Sequence, residues 1–245
     1  MDVGLSPTLL LVHGGSHGAW CWEAVSPLLQ SRGHGVAVLD LPGCGGDPTP
    51  RAALTLDDSV DATVVAIDRV PAGPVVLVGH SIGGMLLPAV AAARPDRVLG
   101  MVFVAAVVLR RGERGIDQIP EGRRPSYFTM AEASGENSLL PGFDDAWRRF
   151  FPSLKEDEAR VIYTRLTPQP FGPYLQPAST GIEDIDCPRA YILIEQDETF
   201  PADAAEAFAA KAGVTPVRVA GDHCLMLTNP RELATVLEAA LGIPG

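Results

Sequence analysis

The sequence predicts an α/β fold: a mostly parallel central sheet flanked by helices, with a helical segment inserted after the fourth strand. Three observations carry this. Short runs rich in Val, Leu and Ile alternate with longer amphipathic stretches, the pattern of strands joined by crossover helices. The alternation stops near residue 107 and resumes near 187. One junction, Gly79-His80-Ser81-Ile82-Gly83-Gly84, sets a serine and a histidine between glycines where an apolar run ends.

Thr8–Val12 reads as the first strand, followed by a helix over about Trp20–Ser31. Gly35–Asp40 is a second strand, ending in the Gly/Pro-rich loop LPGCGGDPTP. A helix over Leu56–Val70 leads to the strand Val75–Val78, and a helix over Gly83–Arg94 precedes the strand Val98–Ala105. After the break come the strand Arg189–Ile194, a helix near Ala204–Ala212, the strand Pro216–Ala220 and a last helix over Pro230–Leu241. Residues 1–106 and 187–245 are therefore expected to form the core, and residues 107–186 an inserted lid. The lid segment holds nine of the fifteen aromatic residues and no strand of comparable quality. An aromatic-rich lid over a sheet edge forms an apolar pocket.

A chain of 245 residues has room for one sizeable core. Its formal charge of −11 argues against nucleic acid, whose phosphates demand a basic patch, and against anionic lipid. No apolar run approaches the ~18 residues of a membrane span. Cys21, Cys44, Cys187 and Cys224 fall at no metal-ligand spacing and read as small thiols in a reducing compartment. The N-terminal stretch lacks a basic flank and a cleavage site, so it reads as a strand rather than a leader. A cytoplasmic protein is expected. Two lysines against 17 arginines suggest a GC-rich coding sequence and a bacterial source.

G-x-S-x-G between a strand and a helix is the pattern of a nucleophile elbow. Ser81 is the candidate nucleophile, on a tight turn that the flanking glycines allow. A serine hydroxyl needs a base. Of His13, His17, His34, His80 and His223, only His223 lies in a late loop at the same sheet edge, after the last strand. His80 adjoins Ser81, but a sharp turn should direct the two side chains apart. His34 stands without a companion, and His13 reads as a structural residue of its loop. The base in turn needs an acceptor to hold its tautomer. Asp197, just beyond the strand in YILIEQDETFP, is placed for that role. Glu195 sits too far into the strand, Glu198 faces solvent, and Asp222 reads as a turn residue. An oxyanion hole should combine the N–H of Ile82, after the nucleophile, with that of Gly15 in the first loop, LVHGGSHGAW. His17, Phe128 and Trp147 are the candidates to line the substrate pocket.

These motifs resemble an α/β-hydrolase, in particular the plant methyl-ester esterase and hydroxynitrile lyase group. LVHGGSHGAWCW, GHSIGGM, YILIEQDETFP and GDHCLMLTNP follow that group's motifs in order across nearly the whole core. The resemblance implies the α/β-hydrolase fold and a Ser81–Asp197–His223 triad. Members that cleave cyanohydrins carry threonine at the position of Gly14, glutamate or a similar residue at that of His80, and lysine at that of Cys224. All three positions here resemble the esterases.

The expected reaction is hydrolysis of a small, largely apolar carboxylic ester, a methyl ester or lactone among the candidates, through an acyl-enzyme. No metal or organic cofactor is implied. The expected partner is a small-molecule ester, and either a monomer or a homodimer fits the chain. Two alternatives stand beside this reading. One is non-hydrolytic chemistry on the same triad, such as elimination, cyclisation or cofactor-free perhydrolysis. The other is a receptor-like ligand-binding protein with negligible turnover.

Overall fold

The computed structural model describes residues 7–242. Residues 1–6 and 243–245, assigned above to the core segments, lie outside the described residues. Strands β1 (Thr8–Val12), β2 (Gly35–Val38), β3 (Val75–His80) and β4 (Val98–Val104) come first, with helices α1 (Ser26–Ser31), α2 (Leu56–Arg69) and α3 (Leu87–Ala93) between them. The inserted segment holds α4 (Gly115–Gln118), α5 (Arg124–Ser134), β5 (Ser138–Leu139), α6 (Phe143–Phe150), α7 (Glu156–Tyr163), β6 (Gln169–Pro170) and α8 (Gly172–Leu175). The chain returns to the sheet as β7 (Arg189–Ile194), α9 (Ala202–Lys211), β8 (Val217–Val219), α10 (Leu225–Thr228) and α11 (Pro230–Leu241).

Six strands form one sheet in the order β2-β1-β3-β4-β7-β8, every adjacent pair parallel. Parallel strands covered on both faces become continuous apolar runs, which is why β1, β3, β4 and β7 are the legible ones. Successive side chains point to opposite faces. Leu10, Val12, Leu77, Met101, Phe103 and Leu193 pack with α2, α3 and α9. Leu9, Leu11, Val76, Val78, Val102, Val104 and Ile194 pack with α1, α10 and α11. The longest of these helices, α2, starts at a capping box in which the Asp58 N–H donates to Thr55 Oγ1 at 3.3 Å and the Thr55 N–H to Asp58 Oδ2 at 2.8 Å.

From β1 the chain goes outward to β2, then reverses and places β3 on β1's other side. The C-terminal ends of β1 and β3 thus diverge at a switch point, where α/β sheets bind ligands. Two expected helices are broken. Trp20–Ser31 divides into a 3-10 turn at Ala19–Trp22 and α1, and Gly83–Arg94 into a 3-10 turn at Ser81–Gly84 and α3. Pro27 and Pro88 stand in the first turns of α1 and α3, where a missing N–H is tolerated but continuation from upstream is not. The inserted segment, expected without comparable strands, adds the two-residue antiparallel pair β5–β6. Strands this short leave no periodicity to read.

Candidate active site

Ser81 follows β3 directly and adopts φ +53°, a left-handed conformation uncommon outside glycine. The chain can turn this sharply because Gly83 passes close under β1: a Cβ there would lie 2.6 Å from the His13 carbonyl oxygen. The turn leaves Ser81 6% exposed at the edge of a cavity of about 430 Å³.

His223 arrives from the loop after β8 and Asp197 from the loop after β7. Nδ1–H of His223 donates to Asp197 Oδ2 at 2.7 Å, which leaves Nε2 as acceptor for the Ser81 hydroxyl at 3.0 Å. Both side chains are sealed from solvent, 2% and 1% exposed. The other Asp197 oxygen, Oδ1, accepts the N–H groups of Thr199 at 2.6 Å and Phe200 at 3.0 Å, which lock the carboxylate's orientation. Glu195 and Glu198 are exposed.

Gly15 and Ile82 both line the cavity beside Ser81. A Cβ on Gly15 would lie 3.5 Å from Ile82 Cδ1, so the two are immediate neighbours. His17 lines the cavity. Its Nδ1–H donates to the Gly15 carbonyl at 2.7 Å, and burial pushes its pKa down to about 3. His13 donates from Nδ1 to the Gly14 carbonyl at 2.8 Å and accepts the Leu41 N–H on Nε2 at 3.1 Å, pinning the loop after β1.

Phe128 and Trp147 do not line this cavity. Phe128 is 50% exposed and packs edge-on against Phe171 over a separate surface hollow. On α5 the cavity-facing residues are Ser126, Tyr127 and Met130, and Phe128 is rotated about 100° away from Tyr127. Trp147 turns toward α7: its Nε1–H donates to the Leu154 carbonyl at 3.1 Å, and its ring packs on Phe143. The α6 aromatic that does face the site is Phe150, stacked on the His223 ring at 5.9 Å.

Sequence reasoning also missed how His223 is held. His80 does not point away: its Nε2–H donates to the His223 carbonyl at 3.0 Å, and the two rings lie 4.7 Å apart. Asp222 is more than a turn residue. It accepts from the N–H of Ser153 at 3.0 Å and from the Ser153 hydroxyl. The Cys224 N–H donates to the Phe150 carbonyl at 2.9 Å. Both chain neighbours of His223 are therefore tied to the inserted segment. Among the described residues no three His, Cys, Asp or Glu side chains gather as a metal site. No helix among them is long and apolar enough to cross a membrane.

The chain and its fold have counterparts among known proteins. Residues 9–236 match the family model described as the alpha/beta hydrolase family, and the chain belongs to that family. It is similar to salicylic acid-binding protein 2 of Nicotiana tabacum, 28% identical over 94% of this chain and 96% of that one. It is equally similar, at 28% over 93% of both chains, to polyneuridine aldehyde esterase of Rauvolfia serpentina. Among solved structures, an extracellular alpha/beta-hydrolase from a Paenibacillus species superposes with a TM-score of 0.88 at 24% identity, covering 96% of this chain and 98% of that one. Other relatives are named methylesterases, among them putative methylesterase 14 of Arabidopsis thaliana, and the chain is an esterase-type hydrolase of the plant methylesterase group.

Proposed function

We propose that Ser81, His223 and Asp197 form a catalytic triad that hydrolyses a small carboxylic ester through an acyl-enzyme. The observation that carries this is the buried hydrogen-bond chain from Ser81 Oγ through His223 to Asp197, opening on the cavity. Ser81 Oγ attacks the carbonyl carbon while His223 Nε2 takes its proton. Asp197 holds the imidazole in the productive tautomer and offsets the imidazolium charge. The N–H groups of Gly15 and Ile82 receive the developing oxyanion, a pair of interactions worth ~3 kcal/mol each. His223 then protonates the leaving alcohol and activates the water that releases the acid. Ile82, Ile119, Met130, Leu139 and Phe150 give the acyl group an apolar bed. The cavity's modest volume and relatives named methylesterases favour a small alcohol, methanol first among them.

The test is turnover of p-nitrophenyl esters from acetate to octanoate by wild type and Ser81→Ala. The variant is expected to lose ~10⁴-fold or more. Equal rates in the two proteins would sink the serine mechanism.

A further inference from the structure

The cavity carries charge that this mechanism does not use. Three guanidiniums, Arg123, Arg148 and Arg149, line it beside one carboxylate, Asp145. In a chain of formal charge −11, that wall reverses the sign of its surroundings. Asp145 engages two of the three: Oδ1 accepts from Arg148 Nη2 at 2.7 Å, and Oδ2 from Arg149 Nη1 at 2.9 Å. The Nη2 of Arg123 donates to a carbonyl instead, that of Thr199 at 2.6 Å.

Arg149 is the unusual member. Its side chain is only 8% exposed, and its buried Nε–H has no acceptor among the described residues. That N–H is sealed from the cavity, so a ligand would meet the outer part of the planar guanidinium fork, whose shape matches a carboxylate. Burial and the neighbouring Arg149 cation push the pKa of Arg123 down, whereas burial of Arg149 is outweighed by Tyr127 and Asp145, which raise its pKa. The wall also lies close to the chemistry. The Arg149 guanidinium sits 5.1 Å from the centre of the Phe150 ring, which stacks on His223. Thr199 joins the Arg123 guanidinium to Asp197 and the Arg149 carbonyl.

We propose that Arg149 and Arg123 form a carboxylate subsite, and that the substrate is a monoester of a dicarboxylic acid. The esterified carboxyl goes to Ser81, the free one to the arginines, and Ile119, Met130 and Leu139 take the methylenes between. This rests on the esterase reading and narrows its acyl group. The reaction is ordinary hydrolysis: the acyl C–O bond breaks, water supplies the new oxygen, and the alcohol, a dicarboxylate and one proton leave.

The test compares kcat/KM for monomethyl succinate, glutarate, adipate and pimelate with that for methyl alkanoates of matching length. Wild type, Arg149→Gln and Arg123→Gln are assayed together. Wild type is expected to prefer at least one monoester over its neutral counterpart by ~10-fold or more, with the ratio falling toward one in either variant. Should Arg149→Gln fail to fold, the half-buried Arg123 carries the variant arm alone. Calorimetric titration of Ser81→Ala with adipate and with hexanoate reads the subsite without turnover, and adipate is expected to bind ~10-fold tighter or more. Hydrolysis of neutral esters with no preference for any monoester, or equal binding of the two acids, overturns the subsite and leaves the esterase standing. Tight adipate binding without turnover of any ester does the reverse.

Discussion

The ring of His80 fills the space that a side chain on residue 14 would need: a Cβ on Gly14 would lie 2.6 Å from His80 Nδ1 and 2.9 Å from Ser81 Cβ. Positions 14 and 80, two of those at which the cyanohydrin-cleaving members of the resembled group differ, are therefore one steric unit. Since His80 also holds the His223 carbonyl, a methyl group at residue 14 pushes on the proposed nucleophile and base together. Gly14→Ala is expected to lower kcat by ~10²-fold, the usual cost of an ångström's misplacement, with a smaller change in KM. Steady-state kinetics beside a melting curve checks this. Unchanged kcat in a folded variant would mean that the site absorbs the methyl group.

Asp197→Asn tests the role of the carboxylate without changing its shape. The side-chain carbonyl of asparagine can still accept from Thr199 and Phe200, so its amide nitrogen would then face His223 Nδ1. That partner forces the imidazole proton onto Nε2, where it meets Ser81 and no base remains. A fall in kcat of ~10³–10⁴-fold is expected, with near-native melting. A loss below tenfold would remove Asp197 from the proposed triad.

Aromatic substitutions should separate the cavity wall from the outer surface. Phe150→Leu removes the ring stacked on His223 and keeps most of the volume. It is expected to reduce kcat/KM by about tenfold and to move the acyl-length optimum. Phe128→Ala, on an exposed ring, is expected to stay within about twofold of wild type. A p-nitrophenyl ester series on both variants reads the difference, and an equal response would misplace the wall.

Stability should fall on acidification. His13, His17 and His80 are each 0–1% exposed, and burial lowers the pKa of all three, that of His17 to about 3. Below the unfolded-state value of about 6.5, the unfolded chain takes up protons that the folded protein refuses. The stability is therefore complete above about pH 6.5 and is lost as pH falls toward the folded values. Each histidine contributes a slope of up to ~1.4 kcal/mol per pH unit inside that window. Urea unfolding at pH 7.5, 6 and 5 measures it. A flat profile would show that the three rings are not buried neutral in solution.

The sequence by itself determined the sheet, the elbow and the placing of the expected triad residues at one edge. Apolar runs, glycine spacing and the position of a residue just past a strand are local patterns, set by backbone geometry and by which side chains tolerate burial or a positive φ. Asp197 and His223 could be picked out because a parallel sheet brings the ends of its strands together, although His223 and Ser81 stand 142 residues apart. Tertiary structure alone decided which aromatics face the cavity, since Phe128 and Trp147 differ from Tyr127 and Phe150 only in rotation about a helix axis. It alone tied Asp222 to Ser153 and Cys224 to Phe150, and it alone set Arg123 and Arg149 on one wall. Those arrangements follow from how the inserted segment docks on the sheet. Docking is a balance of many weak contacts between distant residues, and such contacts leave no periodic mark along the chain.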